Sequence, residues 1–259
     1  MSPSSHTAVR ALVLRGTDIG ETSRLVSLFT AEHGRITVRA RGVRRRGSRD
    51  AAVLEPFNRI EARLLWREGG EVHLYTEGAV TEANDAIRSD VGRAAAAALW
   101  VEMLDRIDCM PDDASVVFAW AEEGLSALAQ CARPCDLGLL MAWKLLGPLG
   151  HQPVLDRCVD TGERPKPPLK FSLTRGGLVA DPATAGEDLM VERLSVELGR
   201  ILFRVPRQSA GELAGVPLTS AQSVRLLDLL DRFCQVHLDL RLRSLRFLAS
   251  MEKTREKTR

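Results

Sequence analysis

Seven arginines and no acid fall within the fifteen residues from 35 to 49, RITVRARGVRRRGSR. Guanidinium groups stay protonated at any working pH and grip phosphate oxygens through a planar fork, so a dense run of them is chemistry for a polyanion. Arg35, Arg39, Arg41, Arg44, Arg45, Arg46 and Arg49 are the candidate contacts. A charged, solvated edge strand guarded against aggregation is the other reading. Seven cations without one compensating acid weigh against it. Arginine outnumbers lysine 31 to 5 over the whole chain, so the clustering carries the information, not the choice of arginine. The signal specifies a polyanion and no base sequence. Aromatic residues make up only 5% of the chain, and Trp66, in phase with Ile60 and Leu64, reads as core. Binding dominated by the phosphate backbone is expected.

Other reactive residues point less firmly. Five cysteines is an odd and sparse number, consistent with reduced thiols and not with a disulfide framework. Cys131 and Cys135 lie four apart in CARPC, but Pro134 marks a helix start and no second pair follows. Ordinary burial of small apolar thiols is expected, with a metal site from Cys131, Cys135, His151 and Cys158 as the alternative. His33 and His73 sit in turn and strand contexts without a neighbouring cysteine or carboxylate pair, so neither is assigned a catalytic role. The chain has no glycine-rich phosphate loop, no G-x-S-x-G and no H-E-x-x-H. Asp108, Asp112 and Asp113 surround Pro111, where helix capping accounts for them. The expectation is a protein that is not an enzyme and takes no cofactor or metal.

The elements that must position the arginines read as strands first and helices later. Thr7–Leu14, Ser23–Thr30, Arg35–Arg41, Asn58–Trp66 and Val72–Ala79 are five short apolar or alternating runs. In the third, Ile36, Val38 and Ala40 alternate with Arg35, Thr37, Arg39 and Arg41, so a period of two puts one face in a core and arginines on the other. A small antiparallel barrel with a long Arg/Gly loop after its third strand is expected. After Asn84 the period becomes helical. Leu99, Trp100, Met103, Leu104 and Ile107 share a face, and Val116–Leu128, Pro134–Leu146, Glu187–Val205 and Ser220–Leu242 continue as helices. Residues 151–186, with five prolines and four glycines, read as an irregular module, and Lys253–Arg259 as frayed.

With 259 residues, 45% hydrophobic and 27% charged, the chain has the composition of a globular protein. No apolar run approaches the roughly 20 residues of a membrane span, and Met1-Ser2-Pro3-Ser4-Ser5 lacks a signal-peptide core. A cytoplasmic location is expected. The net charge of +2 hides a segregation: residues 84–136 sum to −6 and residues 232–259 to +5.

Gly20–Arg45 (GETSRLVSLFTAEHGRITVRARGVRR) resembles the N-terminal signature of the bacterial recombination mediator family RecO. The resemblance continues through LEPF at 54–57, WKLLGPLGHQPVLDRC at 143–158, FSLTRGG at 171–177 and HLDLRLRSLRFL at 237–248, in the family's order. It implies an α+β protein: a five-stranded OB-fold over 1–83, then an all-α domain over 84–259 with a zinc-ribbon-like insertion at about 151–186. It also implies binding of single- and double-stranded DNA, strand annealing, partnership with RecR and with the single-strand-binding protein, and RecA loading in DNA repair near the nucleoid. The pocket for that protein's acidic tail is placed at Trp143, Lys144 and Leu146. One departure concerns the insertion. Cys158 begins a C-x-x-C pattern that Thr161 fails to complete, so the ribbon is read as degenerate and free of zinc. An RNA- or DNA-binding module of a regulator, without annealing activity, is the rival reading.

Overall fold

The structure, a computed structural model, describes residues 4–179 and 190–257. It divides into two units, Met1–Gln130 and Cys131–Arg259. In the first, five strands form one closed sheet: β1 (Ser4–Ile19), β2 (Ser23–Thr30), β3 (Gly34–Ala40), β4 (Arg59–Arg67) and β5 (Val72–Glu82), in the order β1-β2-β3-β5-β4. Strand β1 pairs with β2 along one edge and β4 along the other, while β3 and β5 join in parallel. Inward-facing Val9, Ala11, Val26, Leu28, Ile36, Val38, Ile60 and Leu64 fill the interior, as the period of two requires.

The expected first strand is too short. Arg15-Gly16-Thr17-Asp18 does not turn but pairs on with β2, Thr17 opposite Leu25 and Asp18 opposite Arg24. The hairpin closes instead at Gly20, whose φ of +57° suits a residue without Cβ. Gly16 leaves room for the Arg24 side chain, whose Cδ would lie 2.6 Å from a Cβ there.

A one-turn helix α1 (Asp50–Val53) ends the long loop after β3, and α2 (Asp85–Arg88) follows β5. Then come α3 (Val91–Arg106) and α4 (Ala114–Gln130). Asp90 caps α3, accepting from the Arg93 N–H at 2.8 Å. Both helices belong to the same unit as the sheet: Ser27 Oγ donates to Asp105 of α3 at 2.6 Å, and Arg15 pairs with the same carboxylate at 2.6 Å.

The second unit contains α5 (Pro134–Leu145), then a four-stranded sheet of β6 (Val154–Cys158), β7 (Leu169–Ser172), β8 (Gly177–Val179) and β9 (Val191–Leu194) in the order β6-β8-β7-β9. This corrects the all-α reading of the region and the irregular reading of the insertion. Short strands between prolines carry too little periodicity to read, and tertiary pairing supplies the order. Buried Phe171 of β7 packs 6.4 Å from Phe233, and the Leu173 carbonyl meets His237 Nε2 at 2.7 Å. Residues 180–186 of the expected insertion, and 187–189 of the helix expected to follow, lie outside the described residues. From Val191 that expected helix is first strand β9 and only then α6 (Val196–Arg204), capped by Ser195. The pairing of β9 with β7 overrides helical propensity there.

Helices α7 (Ala210–Ala214) and α8 (Ser220–Leu238) both open on capping boxes, Ser209 with Glu212 and Thr219 with Gln222. Asp239, at φ +49°, ends α8 short of the expected Leu242, and α9 (Arg243–Lys257) continues through the segment expected to fray. Thr258 and Arg259 of that segment lie outside the described residues. Among the described residues no helix is long and apolar enough to cross a membrane.

Candidate nucleic-acid interface

Strand β3 shows the alternation that its sequence requires. Ile36, Val38 and Ala40 are buried, while Arg35, Arg39 and Arg41 stand exposed. The loop that follows is anchored at several points. Val43 is buried between Arg41 and Arg44, and the Arg44 N–H donates to the Thr22 carbonyl at 3.0 Å. At the far end the Tyr75 hydroxyl donates to Asp50 at 2.9 Å, while Asn58 donates its amide to the carbonyls of Ala52 and Val53. Burial, and then the hydrogen bond to Asp50, push the Tyr75 phenol upward, so it stays a donor. Gly78 is required behind this contact, because a Cβ would meet the Tyr75 hydroxyl at 2.9 Å and the Glu61 carbonyl at 3.0 Å.

The seven arginines are all exposed, but they are not equivalent. Arg35 is held by Asp108 at 2.8 Å. Arg44 donates to the carbonyls of Gly20 and Glu21 at 3.0 and 3.2 Å and pairs with Asp18 at 3.0 Å, tying the loop to the β1–β2 turn. A hydrogen bond from Arg24, joined by the charges of Arg24 and Arg44, outweighs burial and lowers the Asp18 carboxyl. Arg39, Arg41, Arg45, Arg46 and Arg49 form no ion pair among the described residues. These five are the cations the fold leaves to solvent, and exposed unpaired guanidinium groups along a strand and its loop can neutralise successive phosphates.

Sequence periodicity missed a ring cluster at one end of the sheet. Trp66, half-buried and packed against the core as its phase implies, stacks on His73 at 3.6 Å and 13° and meets His33 at 4.4 Å, tilted by 35°. Trp66 and His73 face each other across the β4–β5 hairpin, while His33 comes from the distant β2–β3 turn, so no local pattern joins it to them. The buried His73 accepts from the Arg67 N–H through Nδ1 at 3.2 Å. Its burial, and then the charge of His33, lower its pKa from the ordinary value.

In the second unit the structure encloses the three residues expected to form the partner-tail pocket. Trp143 is 2% exposed, Lys144 4% and Leu146 0%. The Lys144 ammonium donates inward, to the carbonyls of Gln208 at 2.7 Å and Pro206 at 3.3 Å. These side chains line no open surface, because α5 is buried on nearly every face. An open apolar surface lies instead around Phe203, 39% exposed, which borders two concavities of about 420 and 500 Å³. Exposed Arg157, Arg164, Arg200 and Arg207 rim them. The Arg207 guanidinium sits 4.3 Å over the Phe203 ring.

The donor set does not suit the zinc that a ribbon insertion implies. Cys158 is buried in β6 and its sulfur accepts from the Asp160 N–H at 3.4 Å. Residues 152–186 contain no other cysteine and no histidine, whereas a structural zinc site takes four such ligands. Among the described residues no three His, Cys, Asp or Glu side chains converge as a metal site.

Comparison with known proteins agrees with this arrangement. A family model described as "Recombination protein O N terminal" matches residues 1–84, and one described as "Recombination protein O C terminal" matches residues 88–246. The chain is 30% identical to the DNA repair protein RecO of Exiguobacterium over 94% of its length and 95% of that protein's. It is 32% identical to the protein of the same name in Myxococcus xanthus, covering 93% and 96%, and 27% identical to that of Bacillus subtilis, covering 95% of each. A match across both halves, at this identity and coverage, settles the question of kinship: the chain belongs to the RecO family of DNA repair and recombination proteins.

Proposed function

We propose that this protein is a recombination mediator that binds single- and double-stranded DNA through its closed sheet, which we read as an OB-fold barrel, and anneals complementary strands. The observation that carries the reading is the row of exposed arginines on β3 and its loop, backed by a face committed to the core. Cations presented by a strand and its anchored loop neutralise phosphates without touching base edges, so two strands lose their mutual repulsion while their bases stay free to pair. No covalent step is involved. The first 83 residues are the DNA-binding domain in this reading, and 84–259 carry the partner functions in the cytoplasm, at the nucleoid.

Kinship supports the partners: RecR, the single-strand-binding protein, and RecA indirectly, through loading onto coated DNA. We place the acidic tail of the single-strand-binding protein on the groove around Phe203, in place of Trp143 and Lys144. An acidic peptide with an apolar end needs an open apolar seat and cations around it, and the Phe203 groove has both.

Annealing of complementary oligonucleotides coated with single-strand-binding protein tests the proposal. The protein should accelerate duplex formation on coated strands. Tight DNA binding with no acceleration would favour a regulatory binding module instead.

A further inference from the structure

The five open arginines provide for phosphates and for nothing else, yet the same unit presents a ring system suited to a base. Trp66 stacks on His73 at 3.6 Å, and the His33 ring meets Trp66 at 4.4 Å, tilted by 35°. The His73 ring is fixed by the bond from the Arg67 N–H to Nδ1. The His33 ring belongs to the turn between β2 and β3, where the His33 N–H donates to Thr30 Oγ1 at 2.9 Å, and Gly34 turns the chain at φ +63°. His73 is buried, Trp66 half-buried and His33 exposed, so the ring of the cluster most open to solvent is an imidazole.

We propose that His33 is a stacking platform for one nucleobase of a single strand. This rests on the DNA-binding reading above and adds to it a preference for unpaired bases. Two physical arguments converge. First, the rings are already ordered by the fold, so a base stacking on the exposed ring meets little entropic cost in the protein. Second, β3 runs directly from this turn to the arginine loop. At about 3.3 Å per residue, roughly 20 Å separates His33 from Arg39, a length that a strand held by the arginines can cover. Trp66 is half-buried and packed against the core, so the exposed His33 is the ring that meets the base.

Stacking is indifferent to base identity but absent from an intact duplex, whose faces are already occupied. His33→Ala should therefore weaken binding of an oligothymidylate about five- to ten-fold, while His33→Phe, which keeps a ring, restores it. Affinity for a duplex of equal length, and for an abasic oligonucleotide with the same phosphates, should be unchanged in both variants. Equal losses on all three probes would show a structural role for the turn and overturn the inference. So would an unchanged oligothymidylate affinity in His33→Ala. Both results leave the arginine reading standing, since the wild-type protein still binds. Failure of the wild-type protein to bind any probe would overturn the DNA reading itself, and this inference with it.

Discussion

Replacing Arg39, Arg41 and Arg46 together with alanine separates phosphate contact from fold maintenance. These three are exposed and form no ion pair among the described residues, so their removal strands no buried partner. Arg44 is left in place because it fastens the loop to Asp18, Gly20 and Glu21, and Arg35 because Asp108 already holds it. On the proposed reading, five arginines then serve as phosphate ligands in the wild-type protein. On a single strand each contributes about −0.7 to the slope of log K against log salt, giving about −3.5 in all. Raising salt from about 50 to about 200 mM should weaken wild-type binding roughly 130-fold, but the triple variant, with a slope of about −1.4, only about 7-fold. Fluorescence anisotropy of a labelled oligothymidylate across that salt range measures both slopes, and urea unfolding confirms that the variant is folded. A folded triple variant with an unchanged slope would refute the reasoning and move the phosphate site elsewhere, the basic segment from Arg232 onward being the first place to look.

Three further outcomes are expected. Lys144→Met should leave DNA binding intact but destabilise the second unit by about 2–3 kcal/mol in urea unfolding, because the carbonyls of Pro206 and Gln208 lose a buried charged donor. His73, buried and held below its ordinary pKa first by burial and then by His33, binds a proton less readily folded than unfolded. Its stabilising contribution is therefore present above the unfolded value of about 6.5 and lost as pH falls below it, so His73→Phe should reduce the drop in thermal stability between about pH 7.5 and 5.5. His151, lowered chiefly by burial, contributes in the same direction. A strong chelator should leave the thermal midpoint unmoved and elemental analysis should find well under one zinc per chain, since the insertion carries one cysteine and one histidine where a structural zinc takes four ligands; loss of stability on chelation would contradict this.

Much of the first unit is legible in its sequence, because strand burial imposes a local rule. Ile36, Val38 and Ala40 must share one face of β3 and the arginines the other, whatever the rest of the chain does. Helices α3 to α5 are legible for the same reason at a longer period, with caps and Pro134 marking ends. Tertiary structure alone decided what depends on residues far apart. Arg35 and Arg44 look like five other arginines until Asp108 and Asp18 arrive from other elements and engage them. Lys144 reads as a cation near an apolar pocket, but its ammonium turns inward because carbonyls more than sixty residues away need a donor. The sheet of β6 to β9 forms from strands of three to five residues, too short to show a period, whose pairing partners lie elsewhere in the chain. Trp66 and His73 meet across a local hairpin, but His33 reaches them only because β3 pairs with β5 when the sheet closes. Sequence patterns record what each element buries; which side chains then face one another is set by how the elements close.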